Sequence, residues 1–153
     1  MTGLASFVVT TDGAAWTDPS SFLVDRGALF GVANPAQQLR QTTSRRDELR
    51  FAHTTFDQVH QGVAVFSGRI HVHQNSQGVV VSANGDFYPI SSKLIPTPTL
   101  SREEAASAGR RALGDDHPRI EKNELVIVDP GWYGDPPTGP HLDIKPGSCP
   151  NPI

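Results

Sequence analysis

The fold is decided by residues 49–88, which read LRFAHTTFDQVHQGVAVFSGRIHVHQNSQGVVVSANGDFY. Three runs rich in β-branched and aromatic residues, 49–56, 63–73 and 79–88, are separated by short polar segments that contain Gly62 and Gly78. Such runs joined by short glycine-containing turns are typical of antiparallel strands connected by hairpins. The sequence therefore predicts a three-stranded antiparallel meander.

The second run has the clearest alternation of the three. Because successive side chains of a strand point to opposite faces, one face should carry Ala64, Phe66, Gly68, Ile70 and Val72. We expect this face in the core, with His71 and His73 on the opposite, outward face. Gly68 among apolar residues predicts room for a neighbouring side chain, or a bulge.

A helix is predicted before the meander. Asp18 can cap its first turn, Pro19 suits the first helical position, and Gly31 supplies a left-handed stop. Its apolar stripe should consist of Phe22, Leu23, Leu29 and Phe30. A short strand over 7–11 should precede it, and the polar residues 34–46 are predicted to form a connection, with one possible helical turn over 36–40.

A second helix is predicted after the meander. Residues 91–99 contain Pro96 and Pro98 and should be extended. Ser101 and Glu104 then form the capping-box pattern that begins a helix. Its small apolar face, Ala105, Ala108, Ala112 and Leu113, predicts close packing on a sheet that contains strands over 124–128 and 141–144.

Composition excludes several classes of function. The chain has 153 residues, 37% of them hydrophobic, and a net charge of −3 with no basic stripe, so nucleic acid is not an expected partner. Its one cysteine, Cys149, forms neither an intrachain disulfide nor a cysteine-based metal site. No apolar run approaches the length of a membrane span, and residues 1–11 lack the features of an export signal.

Four segments of the meander, taken in order, resemble the fungalysin/thermolysin propeptide (FTP) module: RFAHTTF at 50–56, QGVAVFSG at 61–68, HQN at 73–75 and VSANG at 81–85. Two later segments, PTPTLSREEA at 96–105 and ELVIVDPG at 124–131, are similar to the PepSY module that follows in such propeptides. The chain departs from the FTP pattern at Ala64, where the family often has proline, and at His71, where it usually has an apolar residue.

The resemblance implies an α+β fold: a cystatin-like helix packed on an antiparallel β-meander, followed by a second small unit of one helix and short strands. It implies an FTP-like module over 1–92, a partial PepSY-like module over 97–144, and a Pro/Gly linker over 145–153 that leads to a missing downstream region. The tail over 143–153 is similar to a segment of bacterial surface and secreted proteins.

The function implied by the resemblance is non-enzymatic. Such propeptides act as intramolecular chaperone and inhibitor of a secreted thermolysin-like zinc metalloprotease, so the expected partner is a zinc metalloprotease catalytic domain, in cis or in trans. We expect a secreted or cell-surface location, with the export signal not present in this sequence. The expected partner-contact residues are Gln58, Gln61, Gly62, Val63, Val65, Trp132 and Tyr133.

Two other functions remain open at this point. One is a secreted or cell-surface adhesion or spacer module beside a larger β-rich domain. The other is a metal-dependent enzyme built on His53, His71 and His73, since alternate residues of one strand point the same way. We expect no metal or other cofactor, because no carboxylate or cysteine lies near these histidines in sequence to complete a shell. The protease signature His-Glu-x-x-His is absent from the sequence.

Overall fold

The computed structural model describes residues 4–11, 16–114, 119–129 and 131. These residues form a mixed α+β fold, which confirms the predicted class; the cystatin-like detail stays a prediction. The elements in chain order are strand β1 (Phe7–Val9), helix α1 (Pro19–Arg26), a 3₁₀ turn (Gly27–Phe30), helix α2 (Pro35–Gln38), strands β2 (Leu39–Arg46), β3 (Ala52–His60), β4 (Val63–Gln74) and β5 (Val80–Asp86), helix α3 (Arg102–Leu113) and strand β6 (Val126–Ile127).

The predicted meander forms the centre of the sheet. Strands β3, β4 and β5 pair antiparallel in succession, β2 adds to the outer edge of β3, and β1 adds to the outer edge of β5. Strand β6 runs parallel to β4 and pairs with its first residues, Ala64 and Val65. Because β5 pairs with β4 only from Arg69 onward, the edge of β4 before that residue is open for β6.

Helix α1 and the 3₁₀ turn cover one face of this sheet, as their local signals predict. The Asp18 carboxylate accepts a hydrogen bond of 2.7 Å from the Ser21 backbone N–H, Pro19 is the first helical residue, and Gly31 ends the segment at a φ of 90°. Phe22, Leu23 and Phe30 are buried, whereas Leu29 of the predicted stripe is exposed. The core cluster consists of Phe22, Leu23, Phe30, Val32, Leu39, Phe56, Ile70, Val72, Val80 and Ala83.

Asp18→Ala is expected to lower the free energy of unfolding by about 1 kcal/mol, the usual value of an N-cap side chain. The reason is that Asp18 accepts from both the Ser21 backbone N–H and the Ser21 hydroxyl, at the start of a helix that contributes two buried residues. Urea denaturation of wild type and variant measures the difference. Asp18→Ser, which keeps a capping oxygen, should recover most of the lost stability. If Asp18→Ala is as stable as wild type, the assignment of Asp18 as the N-cap is contradicted.

The prediction that 34–46 is a connection is wrong beyond Gln38. Residues 35–38 do form one helical turn, but Leu39–Arg46 is a full strand paired with β3. Of its eight residues only Leu39 is buried. An edge strand exposed on both faces has no apolar alternation, and hydrophobic periodicity therefore cannot reveal it.

The prediction that Phe66 belongs to the core is also wrong. Gly68, Ile70 and Val72 are buried as expected, but on the other side of Ser67 the alternation reverses, so that Val65 is buried, Ala64 is half-buried and Phe66 is 51% exposed. Ser67 has a φ of 60°, and the pairing of β4 with β3 shifts register nearby. A bulge at this point moves the earlier residues to the opposite faces.

The other two strands of the meander also differ from the prediction. The first run begins at Ala52 rather than at Leu49, which lies exposed in the turn before it. In β5 the register shifts between the pairs His73–Ser82 and Gln74–Val80. Val80 and Ala83 are consequently both buried although their sequence numbers differ in parity, which a regular strand without a bulge does not allow.

Helix α3 begins as predicted but does not pack as predicted. Ser101 accepts from the Glu104 backbone N–H at 3.2 Å, and the Glu104 carboxylate accepts from the Ser101 backbone N–H at 2.8 Å, which confirms the capping box. Gly114 ends the helix at a φ of 64°. The helix nevertheless has no buried residue. Its face of alanines is too small to bury enough apolar area for close packing.

Acidification is expected to weaken the cap of α3. Hydrogen bonds from Ser101 hold the pKa of Glu104 below its ordinary value of 4.5. A lowered folded pKa stabilises the helix above the unfolded value, and this contribution is lost as the pH falls through the folded pKa. Far-UV circular dichroism between pH 6 and 2 should show the loss of helix in wild type and in Glu103→Gln. Glu104→Gln, whose neutral amide can still cap the helix, should abolish this pH-dependent loss. A transition in Glu104→Gln that is unchanged from wild type would contradict the assignment to Glu104.

Several predictions fall outside the described residues, namely the strand over 141–144, the linker over 145–153, and the roles of Trp132 and Tyr133. The division into modules at 1–92 and 97–144 stays a prediction. Within the described ranges, no helix combines the length and the apolar character that crossing a bilayer requires.

Candidate functional site

The candidate site lies on the sheet face opposite α1, which we call the polar face. Its residues are aligned across the strands in three rows: Arg45, His53, His73, Ser82 and Val9; then Thr43, Thr55, His71, Asn84 and Phe7; then Arg40, Asp57, Arg69 and Asp86. In the central strands β3, β4 and β5 most apolar residues point toward α1, and all residues of the three rows are half-buried or exposed. The central strands therefore present imidazole, amide and charged groups rather than apolar ones.

Two histidines of the first row are in direct contact. The Nδ1 atoms of His53 and His73 are 2.7 Å apart, and their rings meet edge to face with centroids 5.0 Å apart. The other ring nitrogens contact oxygens: His53 Nε2 lies 3.1 Å from Asp47 Oδ2, and His73 Nε2 lies 2.7 Å from Asn84 Oδ1. The hydrogen bond with His53 lowers the pKa of Asp47, which keeps this carboxyl ionised at neutral pH.

His71 lies next to this pair but has a different environment. Its Nδ1 is 3.1 Å from the Thr55 hydroxyl, and its ring stacks on that of His73 with centroids 6.4 Å apart. Burial lowers the pKa of His71, and the nearby charges of Arg69 and His73 lower it further. The neutral form is thus favoured. In the part of the chain that the structure describes, no three or more His, Cys, Asp or Glu side chains are arranged as a metal-binding group.

The third row contains an ion pair at its centre. Arg69 Nε donates to Asp57 Oδ1 at 2.6 Å, and this bond raises the pKa of the guanidinium above its ordinary value. The Arg69 side chain is about half exposed, so the pair is expected to contribute less than about 1 kcal/mol.

The predicted partner-contact residues divide into two groups. Gln61 and Gly62 form the exposed turn between β3 and β4 with φ of 49° and 83°, and Val63 follows them half-buried. Gln61 is held in place because its Nε2 donates to the Leu94 carbonyl at 3.2 Å. We call Gln61, Gly62 and Val63 the hairpin tip. Its position at the end of two paired strands makes it rigid and accessible.

Gln58 and Val65 are not at the surface. Gln58 is 2% exposed, its Nε2 donates to the Tyr88 carbonyl at 2.6 Å, and its Oε1 accepts from the Tyr88 backbone N–H at 2.9 Å. Val65 is 4% exposed and pairs with Ile127. Direct contact of either side chain with a partner would require local opening of the fold, because both are already enclosed.

One candidate surface was missed from the sequence. Phe66 and Ser67, on the bulge of β4, line a shallow groove with Lys122, Glu124 and Val126 on its other side. Parallel pairing of β6 with β4 brings these two distant segments together. The only signal for it in the sequence was Gly68, whose predicted bulge lies one residue from the observed one.

Comparison with known proteins supports the resemblance over part of the chain. Residues 37–87 match the family model described as the Fungalysin/Thermolysin Propeptide Motif. The matched segment begins within α2 and contains β2, β3, β4 and β5 entire, and it is therefore similar to a propeptide motif rather than to a catalytic domain. No curated protein and no solved structure is significantly similar to the chain.

Proposed function

We propose that this chain is a non-catalytic propeptide-type module that binds the catalytic domain of a thermolysin-like zinc metalloprotease, assists its folding and blocks its active site. The observation that carries the proposal is the match of residues 37–87 to the propeptide motif. The matched strands contribute most of the core and all of the hairpin tip. Shape and surface would thus perform the function, without catalytic side chains.

The hairpin tip is the contact surface that we favour for the protease. It is exposed at its turn, it is fixed by the bond from Gln61 to the Leu94 carbonyl, and it lies at the end of the longest strands of the sheet. A preorganised loop loses little conformational entropy on binding. The groove beside Phe66 begins a few residues further along β4 and extends this surface.

The remaining parts of the proposal concern the rest of the protein. We propose that residues 97–144 form a partial PepSY-like module and that the protein acts outside the cell, because propeptides of this kind accompany secreted proteases. Trp132 and Tyr133 would add a second contact, since aromatic side chains are common at the centres of interfaces. No feature of the described residues favours the adhesion or spacer function.

Inhibition of proteolysis tests the proposal. Full-length chain is added to thermolysin and to a panel of other thermolysin-like proteases, and hydrolysis of a fluorogenic peptide is followed at increasing chain concentration. We expect saturable inhibition of at least one protease by intact chain. Absence of inhibition across the panel, together with absence of any effect on refolding, would refute the proposal.

A matched pair of variants locates the contact. Gln61→Asp alters the hairpin tip, and Gln77→Asp makes the same change in the exposed turn between β4 and β5, at the opposite end of the sheet. Aspartate tolerates the positive φ of Gln61, so the turn should be retained. We expect Gln61→Asp to weaken inhibition by about tenfold, as for an interface residue of moderate importance, and Gln77→Asp to leave it unchanged. Equal effects would exclude the hairpin tip as the contact.

A further inference from the structure

The contact between His53 and His73 has an unusual hydrogen-bond balance. The ionised Asp47 carboxylate only accepts, so the ring proton of His53 lies on Nε2, which is 3.1 Å from Asp47 Oδ2. Asn84 presents its carbonyl oxygen to His73, so the ring proton of His73 also lies on Nε2. Since a neutral imidazole carries one ring proton, both Nδ1 atoms then present lone pairs to each other.

Two nitrogen atoms 2.7 Å apart that both present lone pairs repel each other unless a cation lies between them. A divalent metal ion bound to both Nδ1 atoms would remove this repulsion. Zinc–nitrogen bonds of about 2.0–2.1 Å at a tetrahedral angle place two ligand nitrogens about 3.3 Å apart, so the two Nδ1 atoms, now 2.7 Å apart, need to separate by about 0.6 Å and the rings to turn until their lone pairs converge on the ion.

The surroundings of the two rings are those of metal-binding histidines. Metal-bound imidazoles usually donate the distal N–H to a carboxylate or carbonyl oxygen, which orients the ring and raises its basicity. Asp47 and Asn84 occupy these positions. The reason for expecting no metal was the absence of a carboxylate near these histidines in sequence. The turn that leads into β3 brings Asp47 to His53, six residues away.

We propose that His53 and His73 form a two-histidine binding site for a divalent transition metal, in which the ion lies between the two Nδ1 atoms. Each Nδ1 donates its lone pair to the ion, and water fills the remaining coordination positions. The site is open because the His53 side chain is 28% exposed. It is separate from the hairpin tip, which lies at the other end of β3.

The chemistry of the donors sets the order of metals. Imidazole nitrogen binds Cu²⁺, Ni²⁺ and Zn²⁺, and among divalent ions Cu²⁺ binds most tightly. We therefore expect the affinity for Cu²⁺ to exceed that for Ni²⁺ and Zn²⁺. Calcium and magnesium prefer oxygen ligands and should not compete.

Calorimetric titration of the full chain without an affinity tag, using Cu²⁺ and Zn²⁺ at pH 7.5, tests the proposal. We expect one equivalent to bind. His53→Asn and His73→Asn should each weaken binding at least tenfold, because each removes one of two ligands. Binding that is unchanged in both variants, or absent in wild type, would overturn the proposal.

Three further variants separate this site from other histidine sites. His60 lies near the hairpin tip, where its Nε2 contacts the Leu94 carbonyl at 2.9 Å. The His60→Asn variant should therefore bind metal as wild type does. His71→Asn should retain affinity within about threefold; a loss equal to that of His53→Asn would refute the two-histidine assignment. Asp47→Asn should weaken binding about tenfold, the usual effect of removing an outer-shell partner.

A measurement on wild-type protein removes any dependence on the folding of variants. Zn²⁺ is added to isotope-labelled chain, and the ring resonances of its histidines are followed by NMR. The resonances of His53 and His73 should shift first and together, ahead of those of His60. First shifts at other histidines would overturn the proposal.

Discussion

Gly85→Ala is expected to destabilise the protein by about 3 kcal/mol or more, since backbone strain and a steric clash act together. Gly85 has a φ of 143°, in a region that only glycine adopts readily. A methyl group at this position would overlap the backbone carbonyl of Arg69 on β4, the strand to which β5 is paired. Backbone atoms of a central strand cannot move aside without loss of pairing on both of its edges.

Urea denaturation followed by far-UV circular dichroism measures this effect, and Gly78→Ala is the matched control. Gly78 also has a positive φ, 80°, but a methyl group there meets no atom within 4 Å. Its substitution should therefore cost only about 1 kcal/mol, the conformational part alone. If both variants lose the same amount of stability, the close approach of β5 to β4 is not what requires glycine at position 85.

The second large effect is expected at Gln58, where Gln58→Leu should reduce the free energy of unfolding by about 2–3 kcal/mol. The buried amide of Gln58 makes two hydrogen bonds with the Tyr88 backbone. Leucine preserves volume but removes both bonds from a site without access to water. Gly68 lies directly against this side chain, since a methyl group at Gly68 would overlap the Gln58 amide.

The same replacement in an exposed turn, Gln77→Leu, separates lost hydrogen bonds from a general effect of leucine. It should change stability by less than about 0.5 kcal/mol, as is usual for surface positions. Hydrogen exchange should also show that the Tyr88 backbone amide is less protected in Gln58→Leu than in wild type. A variant with wild-type stability and unchanged protection at Tyr88 would mean that these bonds do not stabilise the segment that follows β5.

Elements with strong local signals could be predicted from the sequence. Asp18 and Ser101 begin helices, Gly31 ends the 3₁₀ turn after α1, and Gly114 ends α3, because capping depends on residues within one turn of each other. The hairpin at Gly62 was predictable for the same reason. These signals place the elements and the order of the meander, but they contain little information about which face of each strand is buried.

The burial of the strands depends on interactions that no local pattern contains. The positive φ of Ser67 reverses the faces of β4, so Phe66 lies outside and Val65 inside. Strand β2 is stabilised by hydrogen bonds to β3 rather than by an apolar face. In both cases tertiary pairing prevails over the preference of the individual residues.

The candidate site could be predicted only in part. Alternation along β4 correctly places His71 and His73 on the face away from α1, and the pairing of His73 with His53 follows once the strands are in register. The approach of Asp47 depends on a turn in which Arg50 adopts a φ of 66°, and nothing in the sequence signals that geometry. The outer-shell partners, and with them the proposed metal site, become visible only in the folded chain.

Refolding of a protease tests the central proposal most directly. A thermolysin-like catalytic domain is unfolded in guanidinium and diluted into buffer with equimolar intact chain, with the Gln61→Asp variant, or with no added chain. Recovered activity is measured after further dilution to relieve inhibition. The proposed function predicts a severalfold higher yield with intact chain and a smaller gain with Gln61→Asp. Equal recovery with and without the chain, for every protease of the panel, would contradict it.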